Sequence, residues 1–225
     1  MKVFSVYAER CTGSTYLQRL MLHNFHIQLK EVGGWKHGIG SHTFMGTDQE
    51  NSALFIGLVR DPVAWINSFS KDLPHVPKEN RPLDKFLHNE FYSVIHPEKD
   101  LRPIEADRNY QTGARFKDIF ELRKVKQHYL LEVMPKVVKH YELLRYEDLL
   151  ADYEKILSLY ETKYGLKRKR ANFENIAYWK HRVDIPYKKK PITLPNEIIK
   201  EIWAKVDLEQ EERLGYNIQN EAIII

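Results

Sequence analysis

An α/β fold built on a parallel central sheet is the expectation from this chain, and three observations carry it. Short apolar runs alternate with stretches whose apolar residues recur every three or four positions, the pattern of strands alternating with helices. The runs Lys2–Ala8 and Ala53–Val59 are apolar on both faces, as strands covered by helices on either side must be. Each of these runs ends in a turn rich in capping residues and then passes into helical periodicity, the start of a right-handed crossover.

The first strand is Lys2–Ala8 (KVFSVYA), and after a turn Leu17, Leu20, Met21 and Phe25 recur at helical spacing. A second strand is expected near Gln28 to Trp35, ending at Lys36-His37-Gly38. Ala53–Val59 (ALFIGLV) is the clearest buried strand; it stops at Arg60, and Asp61-Pro62 supplies an N-cap and a proline for the first helical position. Residues 71–115 carry Pro74, Pro77, Pro82, Pro97 and Pro103 among charges and aromatics, with one short helix expected around Leu83 to Phe91. Long irregular stretches inside compact domains are usually lids or binding loops, so a substrate-side cap is expected here, the alternative being a solvated excursion. An amphipathic helix follows from Phe116 to Val133 with Ile119, Phe120 and Tyr129 on its inner face. Val137 to Tyr146 reads as a fourth strand, and Tyr153, Ile156, Leu157 and Tyr160 mark the helix after it. A basic run, Lys188-Lys189-Lys190, precedes a proline-started helix with Ile198, Ile199, Ile202 and Trp203. No repeat or linker divides the chain, so residues 1–225 read as one domain.

Composition narrows the function. A net charge of +4 suits a small polyanionic ligand and falls short of the clustered positive charge of a duplex-binding protein, so no nucleic acid partner is expected. One cysteine, Cys11, excludes an internal disulfide framework and fits a reducing compartment. The first strand begins almost at once, which leaves no room for a signal peptide, and no apolar run approaches the roughly 20 residues needed to span a bilayer. A cytoplasmic protein without a membrane partner is the expectation; the closing Ala222-Ile223-Ile224-Ile225 is too short to change it.

Two segments carry the chemistry. In Glu9-Arg10-Cys11-Thr12-Gly13-Ser14-Thr15-Tyr16, three hydroxyls surround a glycine that lets the backbone close on a ligand, and successive N–H groups can form an anion nest. It is not a Walker A loop, since G-x-x-x-x-G-K-[ST] occurs nowhere. An ordinary strand-to-helix turn rich in capping residues has the same composition. In the second segment, Ser68 lies almost two helical turns beyond Asp61 and on the same side, so Arg60 and Ser68 can hold one phosphate between guanidinium and hydroxyl. Pairing of Arg60 with Asp61 or another carboxylate is the alternative. Both segments sit beyond the carboxyl ends of strands, where open parallel sheets bind ligands. Together they suit a ligand with two separated phosphate-like groups.

These residues resemble the sulfotransferases that use 3′-phosphoadenosine-5′-phosphosulfate (PAPS). Thr12-Gly13-Ser14-Thr15 matches the family's 5′-phosphosulfate loop, and Arg60-Asp61-Pro62 with Ser68 matches its 3′-phosphate motif. Leu144-Arg145-Tyr146-Glu147-Asp148-Leu149 resembles the R-Y-E-D-L segment, and Asp207, Glu211 and Leu214-Gly215-Tyr216 are similar to its terminal pattern. Glu9 to Leu17 and Gly34-Trp35-Lys36-His37-Gly38 resemble the G-E-R-N-S-G-T-N-Y-L and G-W-K-H-G motifs of one subgroup.

The resemblance implies a P-loop-type three-layer fold and transfer of a sulfuryl group from PAPS to a hydroxyl or amine, with 3′,5′-adenosine bisphosphate (PAP) as product and no metal. It implies His37 as general base, Lys36 assisting the sulfuryl oxygens or leaving phosphate, and Arg10 reaching the bridging or sulfuryl oxygens. Cys11 falls where most members carry a basic residue. Tyr16 stands where many place an adenine-stacking tryptophan, and either stacking or core packing suits it. Lys188 and Lys189, with Lys190, are the only candidates for the basic loop that closes over the 3′-phosphate, the alternative being a solvated face. Glu9 is a reserve base, or a partner of Arg10. Two rival readings are a kinase-like phosphotransferase using Mg·ATP, against which the missing Walker lysine counts, and a non-catalytic nucleotide- or polyanion-binding protein. The acceptor is expected to be a small molecule or carbohydrate. Arg102, Arg108 and Arg115, with Tyr92, Tyr110 and His88, lean toward a polar or anionic one.

Overall fold

The computed structural model describes residues 1–73, 75–95, 102–176 and 191–218. In chain order the elements are β1 (Val3–Ala8), α1 (Ser14–Asn24), β2 (Gln28–Leu29), α2 (Asp48–Asn51), β3 (Ala53–Val59), α3 (Pro62–Phe69), α4 (Leu83–His88), α5 (Ile119–His128), a π-helical turn (Tyr129–Val133), α6 (Met134–Val137), β4 (Tyr141–Arg145), α7 (Tyr146–Ala151), α8 (Tyr153–Tyr164), α9 (Asn196–Lys205) and α10 (Leu208–Arg213). The four strands form one all-parallel sheet in the order β2-β1-β3-β4.

The period of two along each strand divides the apolar residues between two cores. Phe4, Val6 and Ala8 of β1 and Leu54, Ile56 and Leu58 of β3 pack with Leu17, Leu20 and Met21 of α1, Leu149 of α7 and Leu157 of α8. Tyr7, Phe55 and Val59 face the other way, toward Trp65 and Ile66 of α3, Ile119 and Leu122 of α5 and Ile202 of α9. Helices therefore flank both faces of the sheet, and every residue of β3 is buried. Among the described residues no helix is long and apolar enough to cross a membrane.

Four expected elements differ in extent. β2 ends at Leu29, well short of Trp35, because Gly33 and Gly34 turn the chain at φ of 85° and 143°, values a side-chain-bearing residue rarely adopts. The chain still returns to the sheet, where the Lys36 carbonyl accepts from Ala8 N at 3.1 Å. The helix expected to end at Val133 continues to Val137, so the fourth strand begins at Tyr141. Pro135 has no N–H to donate back, and the ladder widens into the π turn just before it. The helix at 83 stops at His88, short of Phe91.

The segment expected as a cap is anchored in the main core. Phe86, Leu87, Phe91 and Phe116 are buried with Phe69 and Trp65, and antiparallel bridges join Phe91 to Phe116 and Val94 to Pro103. Its apolar anchors outweigh its irregular backbone, which sequence periodicity does not register.

Candidate functional site

β1 delivers the chain to a turn with two left-handed residues, Cys11 at φ 61° and Gly13 at φ 92°. Gly13 is the N-cap of α1 and brings no side chain to its first N–H groups, which are left to the backbone and to any ligand. Glycine is required there for a second reason. A Cβ on Gly13 would lie 2.2 Å from Cε2 of Tyr146, whose ring covers the turn. Ser14 is buried and Thr15 half-buried. Thr12 departs from expectation: its hydroxyl donates to the Glu9 carbonyl at 2.7 Å and closes the turn from inside.

Arg60, at the end of β3, lies over the Tyr146 ring at 4.9 Å and donates through Nη1 to the Cys11 carbonyl at 2.8 Å. Its guanidinium thus adjoins the turn. Asp61 caps α3 by accepting from Ala64 N at 2.8 Å, with Pro62 at the helix start as expected. Ser68 is half-buried near the end of α3. The Arg60 carbonyl is held by Arg123 at 3.0 Å, and Arg123 is clamped by Glu211 at 2.5 and 2.7 Å. Glu147 accepts from Asp61 N at 3.1 Å and from the Tyr216 hydroxyl at 2.8 Å. The R-Y-E-D-L and terminal segments therefore frame Arg60 from behind.

On the other side of β1, the His37 Nδ1–H donates to the Ala8 carbonyl at 2.6 Å. A carbonyl only accepts, so the proton is on Nδ1 and Nε2 keeps its lone pair. Burial first, then the positive charge of Arg10, pushes the imidazole pKa well below its ordinary value, with Lys36 and Lys126 adding to the effect. The residue as a whole is half-buried, and its imidazole is closely surrounded. Lys36 Nζ reaches Gln18 Oε1 of α1 at 3.4 Å, and its burial lowers its pKa. Trp35 stands edge-on to His37 at 5.2 Å and to His75 at 6.1 Å.

Arg10 points into the fold. It is 2% exposed, and its guanidinium donates to Ser93 at 2.8 Å and Asp107 at 2.6 Å and lies 3.2 Å from Glu9. Serving the sulfuryl oxygens would require dismantling that cluster, so Arg10 is corrected from ligand contact to internal ion pair. Glu9 is engaged likewise, with Arg10 N at 2.7 Å and Lys126 Nζ at 2.5 Å, which removes it as reserve base. Burial alone would raise the Asp107 carboxyl, but Arg10 and Lys126 outweigh it and hold it well below the carboxylate range.

Tyr16 is half-buried, and its hydroxyl donates to Asn175 at 2.8 Å. Lys188, Lys189 and Lys190 lie outside the described residues. The residues that follow are anchored beside Ser68: Asn67 donates to the Pro191 carbonyl at 3.1 Å and accepts from Thr193 N at 3.1 Å. Three of the cationic side chains of the expected cap pair with carboxylates. Arg108 pairs with Glu105, Arg115 with Glu90, and His88 with Asp84 and Glu201. Among the described residues no three His, Cys, Asp or Glu side chains gather as metal ligands.

Arg123, Lys126 and Asp107 were not singled out from the sequence. A signal existed for two of them: Arg123 and Lys126 fall on the same helical stripe as Ile119 and Leu130, where a solvated cation does not belong. Beside them a cavity of about 20 Å³, lined by Glu9, Thr12, Arg60, Trp65, Arg123 and Lys126, has room for one water. No family model, curated protein or solved structure matches this chain.

Proposed function

We propose that this protein is a PAPS-dependent sulfotransferase of the P-loop type, acting on a hydroxyl or amine of a small molecule or carbohydrate. The observation that carries the reading is the Arg60 hydrogen bond to the Cys11 carbonyl, which joins the two anion-binding segments along one rim of the sheet. One ligand with two phosphate-like ends would then engage the uncapped start of α1 together with Arg60, with Ser68 of α3 as the further expected contact.

In this mechanism the α1 N–H groups, Ser14 and Thr15 hold the 5′ end, and Arg60 and Ser68 hold the 3′-phosphate. His37 Nε2 takes the acceptor proton as the new oxygen–sulfur bond forms. The bond from sulfur to the bridging oxygen breaks, and PAP leaves with the electron pair. His37 is suited to this role because it is neutral at pH 7 and presents the unprotonated nitrogen. Lys36, in place of the buried Arg10, supplies positive charge to the peripheral oxygens. A single cysteine fits work in a reducing compartment, the cytoplasm.

Thermal denaturation tests the reading. PAP without Mg²⁺, at about 100 times its dissociation constant, is expected to raise the melting temperature by about 5–10 °C. Stabilisation by Mg·ATP alone would overturn the proposal. Turnover of labelled PAPS across an acceptor panel should then fall by about 10²–10⁴ in His37→Ala while PAP still binds.

A further inference from the structure

The buried charges behind the site have an arrangement that the proposed chemistry does not itself require. Lys126 Nζ, on α5, has three donors and three acceptors: Glu9 Oε2 at 2.5 Å, the His37 carbonyl at 2.9 Å and Asp107 Oδ1. Its side chain is 2% exposed, so no water substitutes for these partners. The three acceptors come from three separate segments: the turn after β1, the stretch carrying His37, and the segment between α4 and α5. Arg10 closes the figure by bonding the other oxygen of Asp107 and by contacting Glu9, so two cations and two anions balance.

We propose that Lys126 is a positioning residue for His37. It grips the main-chain carbonyl of His37 while the imidazole of the same residue grips Ala8, which gives that residue two fixed points and sets the ring on β1 with Nε2 unprotonated. Held also at its carbonyl by a charge-assisted hydrogen bond, the residue keeps the backbone position from which its ring meets the Ala8 carbonyl, so the Nδ1–H tautomer has a fixed acceptor. The placement is not a by-product of filling the core, since a methionine would fill similar space without the ammonium. The ammonium also contributes charge. The cations facing His37 are Arg10 of the turn, Lys36 of its own segment and Lys126 of α5; the anions nearby, Glu9 and Asp107, bond to Arg10 and Lys126. This inference rests on the reading of His37 as the base, but its test needs neither PAPS nor an acceptor.

The experiment is a nitrogen-resolved NMR titration of the histidine rings, with His37 assigned by loss of its signal in His37→Gln. Three proteins are compared: wild type, Lys126→Met, and the charge-balanced Lys126→Met/Asp107→Asn, which keeps the cluster neutral if the single variant does not fold. Wild-type His37 is expected as the Nδ1–H tautomer, uncharged at pH 7 and with a midpoint below that of an ordinary histidine. In the folded variants the tautomers mix and the midpoint rises by about one unit, as expected on removing a nearby positive charge. Lys126→Arg, which keeps charge and donors, should restore much of the wild-type tautomer. Unchanged tautomer and midpoint in a folded variant would overturn the proposal. Failure of both Met variants to fold would also overturn it, by making the cluster a scaffold with no separable effect on His37. PAP binding measured on the same samples keeps the two questions apart. Loss of PAP binding in the wild type sinks the sulfotransferase reading alone, whereas intact binding with an unmoved His37 sinks this inference alone.

Discussion

Gly13→Ala is the sharpest perturbation the structure offers, because two independent terms act at one atom. At φ 92° an alanine pays the left-handed penalty of L-residues, about 1–2 kcal/mol. Its Cβ would also sit 2.2 Å from Cε2 and 2.4 Å from Cδ2 of Tyr146, well inside contact distance. Tyr146 is 4% exposed and carries Arg60 on its ring, so it cannot swing into solvent without disturbing that stack. Overpacking of this kind costs about 1–3 kcal/mol, which brings the expected loss to about 2–5 kcal/mol. Urea denaturation of Gly13→Ala, Tyr146→Leu and the double variant separates the terms. Leucine ends short of Cε2, so in that background the alanine should cost only its conformational share, and the coupling energy should be about 1–3 kcal/mol. A Gly13→Ala loss below about 1 kcal/mol, or no coupling with Tyr146, would refute the packing of ring on turn.

Two further outcomes follow from the same geometry. Arg60→Ala removes a charged donor to the Cys11 carbonyl and the proposed phosphate contact; PAP affinity by calorimetry should fall about 10–100-fold, and an unchanged affinity would exclude Arg60 from the ligand. His42 is buried with its Nε2–H donating to the Trp35 carbonyl and its Nδ1 unpartnered, and burial lowers its pKa from 6.5 to about 4. Between those values the unfolded chain binds the extra proton, so stability is full above pH 6.5 and declines as pH falls toward 4, by about 3 kcal/mol in total. Urea midpoints at pH 7 and pH 5 should converge in His42→Leu relative to wild type; equal pH sensitivity in both would discount His42 as a cause.

Legibility in the sequence followed the range of the interactions involved. β3 and the start of α3 were readable to the residue, since an uninterrupted apolar run and an Asp-Pro cap are local signals. The end of β2 was not, although the Gly33-Gly34 pair that stops it was in plain sight; apolar residues after it extended the strand pattern on paper. At the site, the adjacency of Arg60 to the turn after β1 was anticipated from strand ends converging on one rim, whereas Lys36-His37, expected at the end of the second strand, lie beyond it on a loop that returns to Ala8. The assignment of Arg10 failed because spacing places a side chain on a loop but says nothing of which carboxylate captures it. Its captors, Ser93 and Asp107, lie 83 and 97 residues away.

By itself the sequence determined the alternation of strands and helices, the burial of the central strands, and the two polar strand-to-helix turns that the proposed function uses. Those features depend on residues within one or two turns of each other, where backbone periodicity and capping act directly. Only the tertiary structure decided which charges face a ligand and which neutralise one another inside. A buried cation must find an anion wherever the fold supplies it, and here the fold brought Glu9, Arg10, Asp107 and Lys126 together from three distant stretches of chain.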